Sequence, residues 1–166
     1  MRGRSRDSSA LVAGHMHRFA ILLSLLAAAC GGEPARPELK PTDGWARETV
    51  PGQTSAAAYL TIINNGTGAD RLIGASTDAA SHAMLHSTAI EGGVMRMRHL
   101  DDGLEIPSKT AVELSPGRTH VMLSGLKTPL QRGEKFELHL HFQRSGEKKT
   151  MIKVLDPSSA GLQEAR

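Results

Sequence analysis

KFELHLHF, residues 135–142, is the stretch whose alternation sets the fold class. Phe136, Leu138, Leu140 and Phe142 share one parity, and Glu137, His139 and His141 share the other. Successive side chains of a β-strand point to opposite faces, so the pattern predicts a strand with one buried and one solvated face. Further runs of strand-like composition lie at 57–64, 71–76, 83–88, 94–99, 110–114, 119–123 and 150–155. Turn chemistry separates them at Asn64-Asn65-Gly66, Glu91-Gly92-Gly93, Ser115-Pro116-Gly117 and Arg144-Ser145-Gly146. Many short strands with turns between them predict an all-β sandwich or barrel. No long amphipathic helix pattern and no internal repeat is present, and 166 residues suffice for one domain.

The chemistry-bearing residues lie between the strands at 83–88 and 119–123, in HSTAIEGGVMRMRHLDDGLEIPSKTAVELSPGRTHVM, residues 86–122. Ten residues separate His86 from Met97, and twenty-two more separate Met97 from His120-Val121-Met122. Imidazole nitrogen with thioether sulfur, and no thiolate, is a soft donor set that favours Cu(I) over the hard cations that carboxylates bind. In a strand, His120 and Met122 point the same way while Val121 points opposite. A two-residue loop at Glu91-Gly92 would set His86 directly across from Met97, on one face, with Cβ atoms about 4.5–5.5 Å apart. A three-residue loop would send them to opposite faces, so the hairpin register is a test.

Taken singly, Met97 or Met122 reads as core filler and His120 as a surface or hydrogen-bonded histidine; the joint spacing carries the ligand reading. His82, Met84, Met95 and His99 alternate with these residues and read as solvent-facing neighbours beside the site, the alternative being that they extend it along one face. His139 and His141 read as a solvated strand face, and Asp101-Asp102 as a turn.

The spacing His86-x10-Met97-x22-His120-x-Met122 resembles the signature of the PCu(A)C (DUF461-like) family of periplasmic copper chaperones. The neighbouring text agrees at Trp45-Ala46-Arg47, Ala58-Tyr59-Leu60, Asp70-Arg71-Leu72, Glu105-Ile106-Pro107 and Met122-Leu123-Ser124-Gly125-Leu126-Lys127. The resemblance covers residues 43–156, and the signature's optional second methionine is Ser87 here. It implies a cupredoxin-like Greek-key fold and one Cu(I) per domain held by His86, Met97, His120 and Met122. It further implies a chaperone that delivers copper to the dinuclear centre of the cytochrome oxidase copper subunit, alongside a Sco-type thiol protein. Copper storage or tolerance, or a β-sandwich interaction lipoprotein without a metal, are the alternatives. No nucleophile–base pair or paired carboxylates with supporting spacing argue for an enzyme.

The amino-terminal quarter reads differently. Phe19–Ala29 is an apolar run of eleven residues, too short to span a bilayer but suited to a signal-peptide core. It ends at Cys30, preceded by small residues as in a bacterial lipobox, although Ala27 stands where leucine is usual. The expectation is a lipoprotein signal peptide over 1–29, lipidation of Cys30, a proline-rich tether over 30–42, the copper domain over 43–156 and a disordered tail over 157–166. Met16 offers a second possible start. The product would be exported and lipid-anchored, on the periplasmic or outer-membrane side. Cys30 is the only cysteine, so the domain has no disulfide, and the absence of a thiolate ligand argues against blue-copper electron transfer.

The formal charge of +3 is a property of the leader. Residues 1–29 hold four arginines and one aspartate, and the remainder balances at sixteen basic and sixteen acidic residues. With five aromatic residues in all, neither electrostatics nor stacking supports nucleic-acid binding.

Overall fold

The computed structural model describes residues 34–156. Ten strands make up the regular structure: β1 Leu39–Arg47, β2 Ser55–Asn64, β3 Asp70–Ser76, β4 Ala80–Glu91, β5 Val94–His99, β6 Leu104–Ile106, β7 Thr110–Leu114, β8 His120–Leu126, β9 Lys135–Phe142 and β10 Gly146–Leu155. No helix occurs among the described residues. Hydrogen bonding runs in the order β4-β8-β2-β1-β10-β9-β3, and β3 returns to β4 where Ala75 faces Ala83. The seven strands thus close on themselves, which removes most of the exposed strand edge. β1 and β10 are parallel, whereas every other pairing is antiparallel. Outside the ring, β5 extends from β4, β6 lies on β3, and β7 covers the carboxyl half of β2.

The alternation of 135–142 has the predicted consequence. Leu138, Leu140 and Phe142 face the barrel interior, where they meet Leu85 of β4, Val121 and Leu123 of β8, Leu60 and Ile62 of β2, and Ile152 and Val154 of β10. Each such side chain contributes roughly 1.5–3 kcal/mol on burial. This core parity fixes the site. With Leu85, Val121 and Leu123 turned inward, His86, His120 and Met122 must turn outward.

Two expectations need correction. The proline-rich stretch 30–42 was to be a tether with the domain beginning at 43, yet Leu39–Thr42 already pair with β2 as the start of β1. Pro41 is tolerated because this half of β1 has β2 on one side only, so a missing N–H breaks no ladder on the other. Further upstream, Glu38 N donates to Asn64 Oδ1 at 3.1 Å, Gly68 N donates to Arg36 O at 3.0 Å, and Arg144 Nη2 donates to Ala35 O at 2.6 Å. The backbone from Ala35 to Glu38 is therefore tied to the barrel. The signal peptide at 1–29, Cys30 and the tail at 157–166 lie outside the described residues.

The second correction concerns the β4–β5 hairpin. Its two-residue loop is Gly92-Gly93, with Glu91 opposite Val94, rather than Glu91-Gly92. Gly92 and Gly93 have φ of 59° and 79°, the pair of positive values that a type I′ turn requires. Placing Glu91 in the first of those positions would strain a residue with a Cβ. The register consequently slides by two: His86 faces His99, and Met97 faces Thr88. A slide of two preserves the face.

Candidate metal centre

The outward face of β5, β4, β8, β2 and β1 carries one row of rings. His86 lies directly opposite His120 on one side and His99 on the other, with ring centres 6.1 and 5.5 Å away. Beyond His120 come Tyr59, at 6.2 Å, and Trp45, whose ring is 4.5 Å from that of Tyr59. Two residue pairs along the ladder, and so on the same face, Met122 faces Met84; two pairs the other way, Met97 faces Thr88. The four sequence-predicted residues therefore share one face around His86. His120 is directly opposite it, while Met122 and Met97 are diagonal to it, a separation of about 7–8 Å that long side chains bridge.

Burial changes along the row. His120 is 4% exposed, His86, Met84 and Met122 are half-buried, and Met97 is 51% exposed on the projecting hairpin. His120 Nδ1 lies 3.1 Å from Arg118 O. Donation to that carbonyl fixes the tautomer and leaves Nε2 as the free lone pair, the arrangement in which histidine binds metals. Tyr59 packs against the same ring, with Trp45 behind it. His86 Nδ1 is buried and has no hydrogen-bond partner. Burial first, and then the neighbouring His120 and His99, hold the His86 imidazole below its ordinary pKa, so it is neutral at pH 7. An unpartnered nitrogen lone pair in a neutral ring fits a soft cation.

Among the described residues no three His, Cys, Asp or Glu side chains converge closely enough to hold an ion. Methionine sulfur is the further donor type on this face, with Met84, Met122 and Met97 beside the histidine pair. Sequence reasoning treated Met84 and His99 as bystanders, but the ladder makes them immediate neighbours of Met122 and His86. Their parity relative to His86 was the available signal; the partner strands were not. The other histidine pair behaves as a solvated face: His139 lies between Glu137 and Glu147 at 3.0 and 3.1 Å, and His141 meets Ser76 Oγ at 3.0 Å.

The family model described as "Putative lipoprotein LpqE-like" matches residues 39–154, beginning at the first residue of β1. A Leifsonia xyli subsp. xyli protein named "Putative lipoprotein Lxx21020" is 34% identical over 116 residues, covering 70% of this chain and 69% of that one. Among solved structures, the apo PCuAC domain from PmoF1 has a TM-score of 0.60 at 25% identity, covering 74% of this chain and 100% of that domain. The solution structure of CuI-DR1885 from Deinococcus radiodurans has a TM-score of 0.59 at 28% identity, covering 84% of this chain and 89% of that one. The closed all-β barrel and these neighbours bear out the cupredoxin-like fold class.

Proposed function

The chain belongs to the LpqE-like lipoprotein family and has a PCuAC copper-chaperone-like domain, and from that premise we propose that it carries one Cu(I) on the outward face of β4, β5 and β8. The ligands are His86, His120 and Met122, with Met97 reaching in diagonally from the hairpin. The observation that carries this reading is the cross-strand pair His86–His120, with Met122 beside it on the same half-buried face.

The chemistry follows from the donors. Imidazole nitrogens and thioethers are soft enough for Cu(I), and an imidazole binds it in its neutral form. With no cysteine among them, the ligands do not form disulfides in an oxidising compartment. His120 is held by Arg118 O and Tyr59, so one side of the site is rigid. Met97 is exposed on a hairpin, so the opposite side is open to an incoming ligand. A site rigid on one side and open on the other suits transfer by stepwise ligand exchange. The recipient would be a copper enzyme, in first place the dinuclear centre of the cytochrome oxidase copper subunit, with a Sco-type thiol protein acting alongside.

The test is competition for Cu(I) against a chromophoric chelator under anaerobic, reducing conditions. The wild type should take up one equivalent, and the variant with alanine at His86, Met97, His120 and Met122 should take up none. Wild-type affinity in the fourfold variant would remove the assignment. Delivery is tested by mixing loaded protein with apo oxidase copper fragment and following the absorption of the dinuclear centre. Export and anchoring are proposed to run through acylation of Cys30, so Cys30→Ala should move the protein from the detergent phase to the aqueous phase in a detergent partition.

A further inference from the structure

We propose that the face holds a second, outward copper position formed by His86, His99 and Met97, and that cargo leaves through it. The inference rests on the copper reading above and names the route of release. Its basis is the observed register, which puts His99 directly opposite His86 on the side away from His120. An imidazole bound at about 2.0 Å places its ring centre roughly 3 Å from the ion, so two rings sharing an ion lie up to about 6 Å apart. The His86–His99 separation of 5.5 Å falls inside that limit, and the His86–His120 separation of 6.1 Å falls at it. Neither separation is too long for His86 to share an ion with that neighbour once the side chains turn towards it. The three rings do not converge on a single point, so these are two positions and not one.

The positions differ in access. On the inner side, His120 is 4% exposed and is held by Arg118 O, and Met122 is half-buried. On the outer side, the His99 side chain is 45% exposed, and its one ionic partner, Asp101, is 3.6 Å away and itself exposed. Met97 and Met95 stand beside it on β5, the strand at the end of the hydrogen-bonded order. His86 and Met97 belong to both positions, so moving between them means letting go of His120 and Met122 and taking up His99. Copper keeps two ligands throughout. A recipient too bulky to reach His120 would meet the ion at the hairpin.

The experiment uses the full chain loaded with one equivalent of Cu(I) and mixed in a stopped-flow instrument with excess bicinchoninate, which reports captured Cu(I) by its colour. His99→Ala and His99→Phe are compared with wild type; the phenylalanine variant keeps a packed ring and removes only the nitrogens. Equilibrium affinity should stay within about threefold, while the release rate should fall by about tenfold in both variants, the scale on which removing a supporting ligand acts. Unchanged release at unchanged affinity would overturn the outward position while leaving the copper assignment intact. A loss of affinity of about tenfold or more would place His99 in the resident site, as ligand or as support, and equally overturn the two-position reading. A wild-type chain that takes up no Cu(I) would fell both proposals together.

Discussion

Acidification should release copper from this face with a steepness that counts its histidines. Each imidazole must be neutral to bind, and one pH unit below its pKa costs it a factor of ten, about 1.4 kcal/mol. Two ligating histidines therefore make the apparent affinity fall about 100-fold per pH unit once both are protonated in the apo protein. The onset is shifted for His86. Burial, and then the neighbouring His120 and His99, hold its pKa below the ordinary 6.5, so its proton begins to compete only at a lower pH than in a free imidazole. The same depression makes the unfolded chain the better proton acceptor below 6.5, so the apo stability associated with His86 is fully present above that value and declines as the pH falls from there through the lower folded pKa. The assay is chelator competition from pH ~5 to ~8, anaerobic and corrected for the chelator's own protonation, around the imidazole range. Wild type should approach a slope of two and His86→Ala a slope of one, while Met122→Leu should run parallel to wild type at weaker affinity. A flat profile would mean that neither histidine holds the ion, and the imidazole–thioether site would fall with it.

Three further outcomes follow from the packing. Asn64 donates to the carbonyls of Gly68, Ile106 and Pro107 and accepts from the amides of Glu38 and Gly66; Asn64→Ala should cost about 3 kcal/mol in urea unfolding, because it strands several of these groups. Burial pushes the Asp70 carboxyl up, but hydrogen bonds, among them those from the Arg71, Arg144 and Ser145 amides, outweigh it and hold the group below its ordinary value. That contribution is present above about pH 4 and is lost as pH falls through the folded pKa, so Asp70→Asn should lower stability at pH 7 and flatten its dependence on acid. Met84→Leu removes a sulfur beside Met122 at nearly constant volume; Cu(I) competition should show a smaller loss than for Met122→Leu, and an equal or larger loss would make Met84 a ligand in its own right.

Much of the fold was legible because parity is a local property. Phe136, Leu138, Leu140 and Phe142 alternate within one strand, and a single buried face is enough to orient all of them. The same rule turned His120 and Met122 outward together. What stayed hidden depended on the competition between alternatives at one point. Residues 34–42 carry three prolines and read as a linker, yet Leu39 is buried and Pro41 sits where β1 needs no second neighbour. Composition could not report that, because the tolerance of proline depends on which edge of a strand is paired.

The hairpin gives the sharper case. Glu91-Gly92 and Gly92-Gly93 are both two-residue loops, so either register puts His86 and Met97 on the same face. They differ in which side chain stands against His86, and that choice rests on whether a residue with a Cβ must adopt positive φ. Gly92 and Gly93 accept it at no steric cost, so His99 rather than Met97 is drawn up to His86, and Met97 moves two pairs towards the hairpin tip. The order of residues along 86–99 puts His86 and Met97 on one face in either register. The turn decides that His99, two residues beyond Met97, comes within reach of His86.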